Sequence, residues 1–413
     1  MQETFLTEFQ QRGYFNQCTD QSGLSDLMSK VKIKAYIGFD CTAPSLHVGS
    51  LMQIMCLRLL QRYGHQPIVL LGGGTTLIGD PSGKDETRKI LNKKEIDKNI
   101  HSIKNIFKIF LNSKNSKTKP IFVNNYNWLS KLNYINFLRE IGKYFTINKM
   151  LTFDSVKLRL QREQSLSYME FNYMMLQAYD FYELNKRYKC SLQIGGSDQW
   201  GNIVNGTDLI KRKDKKITYG LTTPLLTLAS GVKMGKTEKG AVWLNKKMLS
   251  SYDYWQFWRN TDDKDVINFL KFFTDIKIDK INDLSNNTNN INELKVLLAN
   301  EATAMLHGSK DAKNSELTAK KTFNEKSIGK ELPVIKITKN EVLKGLNILD
   351  LVLQTNLANS KSEIRRMIKN NGLKINNEVV KEEKKIIYQN DFGNENYLKI
   401  SHGKKQHVII KII

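Results

Sequence analysis

Residues 34–74, KAYIGFDCTAPSLHVGSLMQIMCLRLLQRYGHQPIVLLGGG, decide the fold. KAYIGFD (34–40) reads as a short strand, CTAPSLHVGS (41–50) as a loop, and LMQIMCLRLLQRYG (51–64) as a helix-period run closing at Gly64. PIVLLGGG (67–74) reads as a buried strand entering a glycine turn. Strand, helix and strand within about 40 residues make a βαβ unit, whose crossover is right-handed and whose ligands gather beyond the strand C-termini. The expected crevice lies beside Asp40, His47 and Asp80.

Working outward, residues 89–150 read as helical and basic, with a polar loop at 113–120; a long helix is expected around 168–187. SLQIGG (191–196) is a further strand running into SDQWGN, and SGVKMGKTEKG (230–240) a glycine-flanked loop. Residues 250–325 read as helices and 326–345 as a linker. The last 68 residues hold a helix at 348–358, a second opening at Ser360 or Ser362, and β-type runs such as LKINNEVV and HVIIKII.

A chain of 413 residues with 40% hydrophobic content exceeds what one core needs, which excludes a small disulfide scaffold, and no apolar run is long enough to span a membrane. Cys18, Cys41, Cys56 and Cys190 form no C-x-x-C pair, so neither a zinc site nor a disulfide framework is signalled. The first twenty residues carry acids early and have no apolar h-region; a cytoplasmic protein is expected. The formal charge of +23 invites a polyanionic partner, although stretches such as NDLSNNTNNIN (282–292) equally suit an AT-rich coding bias.

Three stretches carry chemistry. SLHVGS (45–50) brings His47 and free backbone N–H groups to a helix start, an arrangement that serves a surface turn as well as a phosphate ligand. VKMGKT (232–237) sets two lysines around a glycine, a mobile cationic clamp suited to a pyrophosphate whose charge grows in a transition state. In YMEFNYMMLQAYD (168–180), Tyr173, Gln177 and Asp180 fall at i, i+4 and i+7 and share one helix face amid Met and Phe, as a pocket for a small polar ligand requires. GGGTTLIGDPSGKD (72–85) is no phosphate loop: its glycine spacing is one residue short and Asp85 replaces the metal-binding hydroxyl.

Together these stretches resemble the tyrosyl-tRNA synthetases of bacterial type, class I aminoacyl-tRNA synthetases, over the whole chain and in the right order. SLHVGS looks like the HIGH signature and KMGKT like KMSKS; YIGFD (36–40), YMMLQAYD (173–180) and LQIGGSDQWGN (192–202) carry the tyrosine-specific character. The resemblance implies an α/β fold: a Rossmann-like parallel-sheet catalytic domain at 1–245, with a dimer-interface insert at about 90–165, an α-helical tRNA-binding domain at 246–325, a linker at 326–345, and a small α+β S-four-like RNA-binding domain at 346–413. It implies tyrosine activation by ATP with Mg²⁺, transfer to tRNA, no tightly held metal, no membrane association and a homodimer. Thr42, His47, Lys233 and Lys236 would stabilise the transition state. Tyr36 and Asp180 would bind the substrate phenol, Asp80, Tyr173 and Gln177 its ammonium, and Gln199 would lie near its carboxylate. Gly38, Asp40, His47, Gly49, Ser50, Gly196, Asp198 and the two lysines would line the ATP subsite.

The chain departs from the family at Ser50, which stands for the second histidine of HIGH, at Gly235 within KMSKS, and at Ile37 and Gln53, where polar ribose contacts are common. On the helix after Ser360, Lys361, Arg365 and Lys369 recur every four residues and would form a cationic stripe for RNA. The alternatives are the sister tryptophan enzyme, disfavoured by Tyr36 with Asp180, and a non-catalytic RNA-binding relative, disfavoured by the retained His47 and lysines.

Overall fold

The computed structural model describes residues 3–80, 91–229, 231, 234–237, 240–287, 290–324, 332–355, 357–392, 397–403 and 406–413. The chain forms two compact units, Met1–Leu249 with Gln256–Leu306, and Ser250–Trp255 with His307–Ile413.

The first unit is built on a six-stranded sheet of β1 (Gln17–Cys18), β2 (Lys34–Phe39), β3 (Gln66–Leu71), β4 (Ile121–Asn124), β5 (Cys190–Gly196) and β6 (Tyr219–Thr223). Their spatial order is β1-β6-β5-β2-β3-β4, and only β1 runs antiparallel to its neighbour. From β2 the chain lays β3 and β4 on one side, then returns to place β5 and β6 on the other. The strand order therefore reverses between β2 and β5, where open α/β sheets leave a crevice for ligand. The expected βαβ unit is present, with the helix Leu51–Arg62 as its crossover. That helix is apolar nearly all round and buries Leu51, Met52, Ile54, Met55, Leu57, Leu59 and Leu60, because the sheet lies on one side and the helix Val266–Phe273 on another. Tyr168–Tyr188 is a 21-residue helix opened by a capping box of Ser167 and Glu170 and closed by Lys189 in the left-handed region.

Two parts of the sheet differ from the sequence reading. β4 interrupts the stretch 89–150 that reads as helical, and β6 has no strand-like apolar run of its own; each is only four or five residues long. Such strands are too short to establish a period and are specified by pairing with β3 and β5. The helical segment also departs from its expected independence, since residues 256–306 belong to the first unit. Arg12 explains the attachment: its guanidinium donates to the carbonyls of Lys271, Thr274 and Ile276 at 2.7–2.9 Å, satisfying the C-terminal end of Val266–Phe273. Glu8 holds Arg12 Nε at 2.7 Å, and Arg58 pairs with Asp275.

In the second unit the strands Glu378–Val379, Leu373–Ile375, Tyr397–His402, Gln406–Ile412 and Val334–Ile337 lie side by side in that order. Ile348, Val352, Ile364, Met367, Leu398 and Ile400 form its core between sheet and helices. Val334–Ile337 pairs parallel with Ile409–Ile412, and a short helix Lys339–Leu343 follows. The second half of the expected linker, 326–345, is thus part of this unit; residues 325–331 lie outside the described ones. The helix expected to open at Ser360 or Ser362 uses Ser360 as its cap.

Candidate active site

The crevice between β2 and β5 is a cavity of about 810 Å³, in the upper part of the usual range for ligand pockets. Tyr36, Gly38, Asp40, Thr42, His47, Gly49, Ser50, Asp80, Tyr173, Gln177, Asp180, Gly196, Asp198 and Gln199, all expected from sequence, line it. Ile37 and Gln53 line it too, and Gln53 donates to Thr223 at 2.7 Å.

The floor is made by β2, β5 and the helix Tyr168–Tyr188. Tyr36 is 1% exposed and its hydroxyl has no hydrogen-bond partner among the described residues; Gln193, its register neighbour on β5, is 2% exposed with an Oε1 likewise unpartnered among them. Buried polar atoms are nearly always paired, so a ligand or water is called for at this spot. Beside them lies Asp180, 1% exposed. Its two carboxylate oxygens accept from Trp128 Nε1 at 2.7 Å and Asn125 Nδ2 at 2.9 Å. Burial pushes the Asp180 carboxyl up to about 7 against the pull of those two donors. Burial, and then the charge of Asp180, raise the Tyr36 phenol well above its ordinary value. An un-ionised phenol beside a buried carboxyl offers one donor and one acceptor to an incoming hydroxyl.

The side wall is a chain of amides and acids. Gln199 donates to Asp80 at 3.1 Å, and Asn202 donates to both Gln199 and Gln177 at 3.1 and 3.0 Å. The Tyr173 hydroxyl donates to Asp40 at 3.4 Å. This wall has carboxylates backed by neutral acceptors, the acceptor set that an ammonium group needs.

At the mouth, His47 caps the turn Val48–Ser50, and its Nδ1 accepts the Gly49 N–H at 3.0 Å. With Nδ1 accepting, a neutral ring carries its proton on Nε2, a hydrogen-bond donor. The two signature segments meet here, nearly 200 residues apart in the chain. Val48 N–H donates to Val242 O and Leu244 N–H to Leu46 O, both at 2.9 Å, while Gly235 lies against the His47 ring and Gly49 against the Met234 carbonyl. Lys236 begins a two-residue strand paired with Gly240–Ala241, whose residues line the cavity; Lys233 lies outside the described residues.

Asn125, Trp128, Gln193 and Asn202 belong to the site but were not expected from sequence. The first two sit at and just beyond the C-terminal end of β4, so recognising that strand would have directed attention to them. The expected RNA stripe lies in the second unit. Lys361, Arg365 and Lys369 are exposed on one helix, but Lys361 pairs with Asp350 at 2.5 Å and Arg365 with Glu383 at 3.3 Å.

Residues 28–324 match the family of class I tRNA synthetases (W and Y), and residues 324–410 match the tyrosine–tRNA ligase SYY-like C-terminal domain. The tyrosine–tRNA ligase of Pelagibacter ubique is 65% identical over 99% of both chains. That of Rickettsia massiliae is 50% identical over 99% of this chain and all of its own. Among solved structures, a C-terminally truncated mitochondrial tyrosyl-tRNA synthetase from Aspergillus nidulans superposes with a TM-score of 0.70 at 28% identity, over 78% of this chain and 95% of that one.

Proposed function

The chain belongs to the class I tRNA synthetases (W and Y) and acts as a tyrosine–tRNA ligase, and we propose that its site residues divide the reaction among floor, side wall and mouth of the pocket. On the floor, Tyr36 and Asp180 take the substrate phenol; along the side wall, Asp80, Tyr173 and Gln177 take the α-ammonium, with Gln199 beside the carboxylate. A carboxylate oxygen of tyrosine attacks the α-phosphorus of ATP, the bond to the β-phosphate oxygen breaks, and pyrophosphate leaves. The terminal ribose hydroxyl of tRNA then attacks the tyrosyl carbonyl and AMP departs. No protein nucleophile is required, so the contribution of the chain is orientation and charge stabilisation.

At the mouth, His47 Nε2–H, Thr42, Lys233 and Lys236 meet the phosphates as their charge shifts, while Gly38, Asp40, Gly49, Ser50, Gly196 and Asp198 seat the rest of the nucleotide. Mg²⁺ enters as the counter-ion of ATP. Among the described residues there is no group of three or more His, Cys, Asp or Glu that could hold a metal ion.

The observation that carries the reading is the unpartnered Tyr36 hydroxyl buried beside Asp180. A pocket that leaves these groups unpaired without a substrate hydroxyl rejects phenylalanine, and tyrosine-specific synthetases are themselves the standard illustration of that asymmetry. ATP–pyrophosphate exchange stimulated by tyrosine, and not by tryptophan or phenylalanine, is the expected result. Stimulation by tryptophan would move the chain to the sister enzyme, and absence of exchange would make it a non-catalytic RNA binder.

The segments 246–325 and 346–413 serve tRNA outside the acceptor end in this reading, the latter through Lys361, Arg365 and Lys369. Their acidic partners are surface pairs of small net strength that phosphates can displace. A homodimer is supported by exposed apolar side chains at Tyr134, Ile135, Ile147, Leu160 and Tyr168, inside the insert expected to form the interface or at its border. Bacterial relatives matching the full length support work in the cytoplasm. Among the described residues no helix is long and apolar enough to cross a membrane.

A further inference from the structure

We propose that the exposed face of the helix Lys93–Phe110 is a track for the phosphates of the tRNA acceptor end, beside the mouth of the pocket. The proposal rests on the ligase reading and adds to it a surface that lies outside both tRNA-binding segments.

The helix has two sides of different character. Ile96, Ile103, Ile106, Phe107 and Phe110 are buried, while Lys94, Lys98, His101 and Asn105 follow at i, i+4, i+7 and i+11 on the exposed side. Between them runs the edge that fastens the helix to the pocket rim. Asn99 Nδ2 donates to the Cys41 carbonyl at 2.9 Å, next to Thr42, and Ser102 Oγ accepts from Asn245 at 3.2 Å. Asn245 N–H in turn donates to Ser45, which lines the cavity. The cationic face is thereby held at a fixed place next to the opening.

The charges on this face are available for a ligand. Lys93 is engaged with Asp97 at 3.2 Å and lies 4.8 Å from the Tyr126 ring centroid, and Glu95 is tied into the helix cap with Asn92. Lys94, Lys98 and His101 have no ion-pair partner among the described residues, and with Lys93 and Asp97 they line a shallow concavity. The expected RNA stripe differs, for two of its three cations, Lys361 and Arg365, are answered by Asp350 and Glu383. Along the axis Lys94 and Lys98 are about 6 Å apart, a step comparable to the spacing of successive phosphates in an extended strand. Unpaired, solvated cations at such a step exchange counter-ions for phosphates and so favour a nucleic-acid backbone over a neutral or cationic partner.

The test is the double variant Lys94→Glu/Lys98→Glu in the full-length enzyme, measured in tyrosine-dependent pyrophosphate exchange and in aminoacylation of tRNA. Exchange should stay within about twofold of the parent, whereas kcat/KM for tRNA should fall at least about tenfold. The slope of log affinity for tRNA against log salt should also flatten by about 1.5. Lys94→Arg/Lys98→Arg, which keeps both charges, should restore aminoacylation. An unchanged kcat/KM for tRNA with an unchanged salt slope would overturn the proposal. So would an equal loss in exchange and aminoacylation, since the face would then serve ATP. Failure of the ligase reading looks different: the parent itself would show no exchange.

Discussion

In the proposed phenol pocket the protonation of Asp180 should govern capture of tyrosine. Its folded pKa of about 7 exceeds the ordinary carboxylate value near 4. Below about pH 7 the carboxyl therefore holds a proton and loses acceptor strength toward the substrate phenol. We expect kcat/KM for tyrosine to fall on the acid side of about pH 7, in exchange assays run from about pH 6 to about pH 8. Asp180→Asn should flatten that limb and reduce tyrosine-over-phenylalanine selectivity at least about tenfold; an intact selectivity ratio would place the phenol elsewhere. Trp128→Phe removes a donor that favours the ionised form, so the limb should move to higher pH. Stability carries the opposite sign from a salt-bridged acid. The folded state holds the extra proton between about pH 4 and about pH 7, so this group makes the unliganded protein less stable as pH rises through that window. The thermal midpoints of parent and Asp180→Asn, followed across it, should diverge accordingly.

Among elements, the contact between the two signature loops depends on glycine. Gly235 has φ of +126°, and a Cβ there would stand 2.7 Å from His47 Nδ1 and 3.3 Å from the Gly49 Cα. The departure from the serine of KMSKS is thus matched to the loop it touches. Gly235→Ser, although it restores the family residue, should lower the rate of adenylate formation, and a rate equal to the parent in pre-steady-state measurements would contradict the fit. A second joint is Arg12, which ties the N-terminal helix Phe5–Gln11 to the end of Val266–Phe273. Glu8 and Arg12 are both buried, with side chains 4% and 1% exposed. Arg12→Ala strips Glu8 of its closest cation and leaves three carbonyls short of a donor, which should cost about 3–5 kcal/mol. Arg12→Lys should recover little, because one ammonium cannot reproduce the planar fork. Denaturant midpoints measure both; a loss below about 1 kcal/mol would mean the joint is held by other contacts.

For the whole molecule, the exposed apolar set around Ile135, itself 67% exposed, is the surface on which assembly should depend. In the proposed homodimer, Ile135→Glu should shift the protein from dimer to monomer in sedimentation, and an unaltered dimer would place the interface elsewhere. The charge of +23 acts at the same scale. The last 68 residues carry 12 Lys and Arg against 7 Asp and Glu, net +5, where an even share would be about +4. The C-terminal segment thus has no excess of it, and the net charge serves as a general field for tRNA rather than a map of where it binds. By itself the sequence determined what local pattern can encode: the βαβ unit from its periodicities, the polar face of the helix Tyr168–Tyr188 from its spacing, and the two signatures from their letters. Tertiary structure alone decided what depends on pairing across distance. β4 and β6 exist because neighbouring strands accept them, Trp128 reaches Asp180 across 52 residues, Arg12 captures the helical segment across more than 250, and the cations after Ser360 find acids that no period along their own helix announces. Periodicity is a property of a window of residues, whereas burial, ion pairing and a shifted carboxyl are properties of what the fold brings alongside.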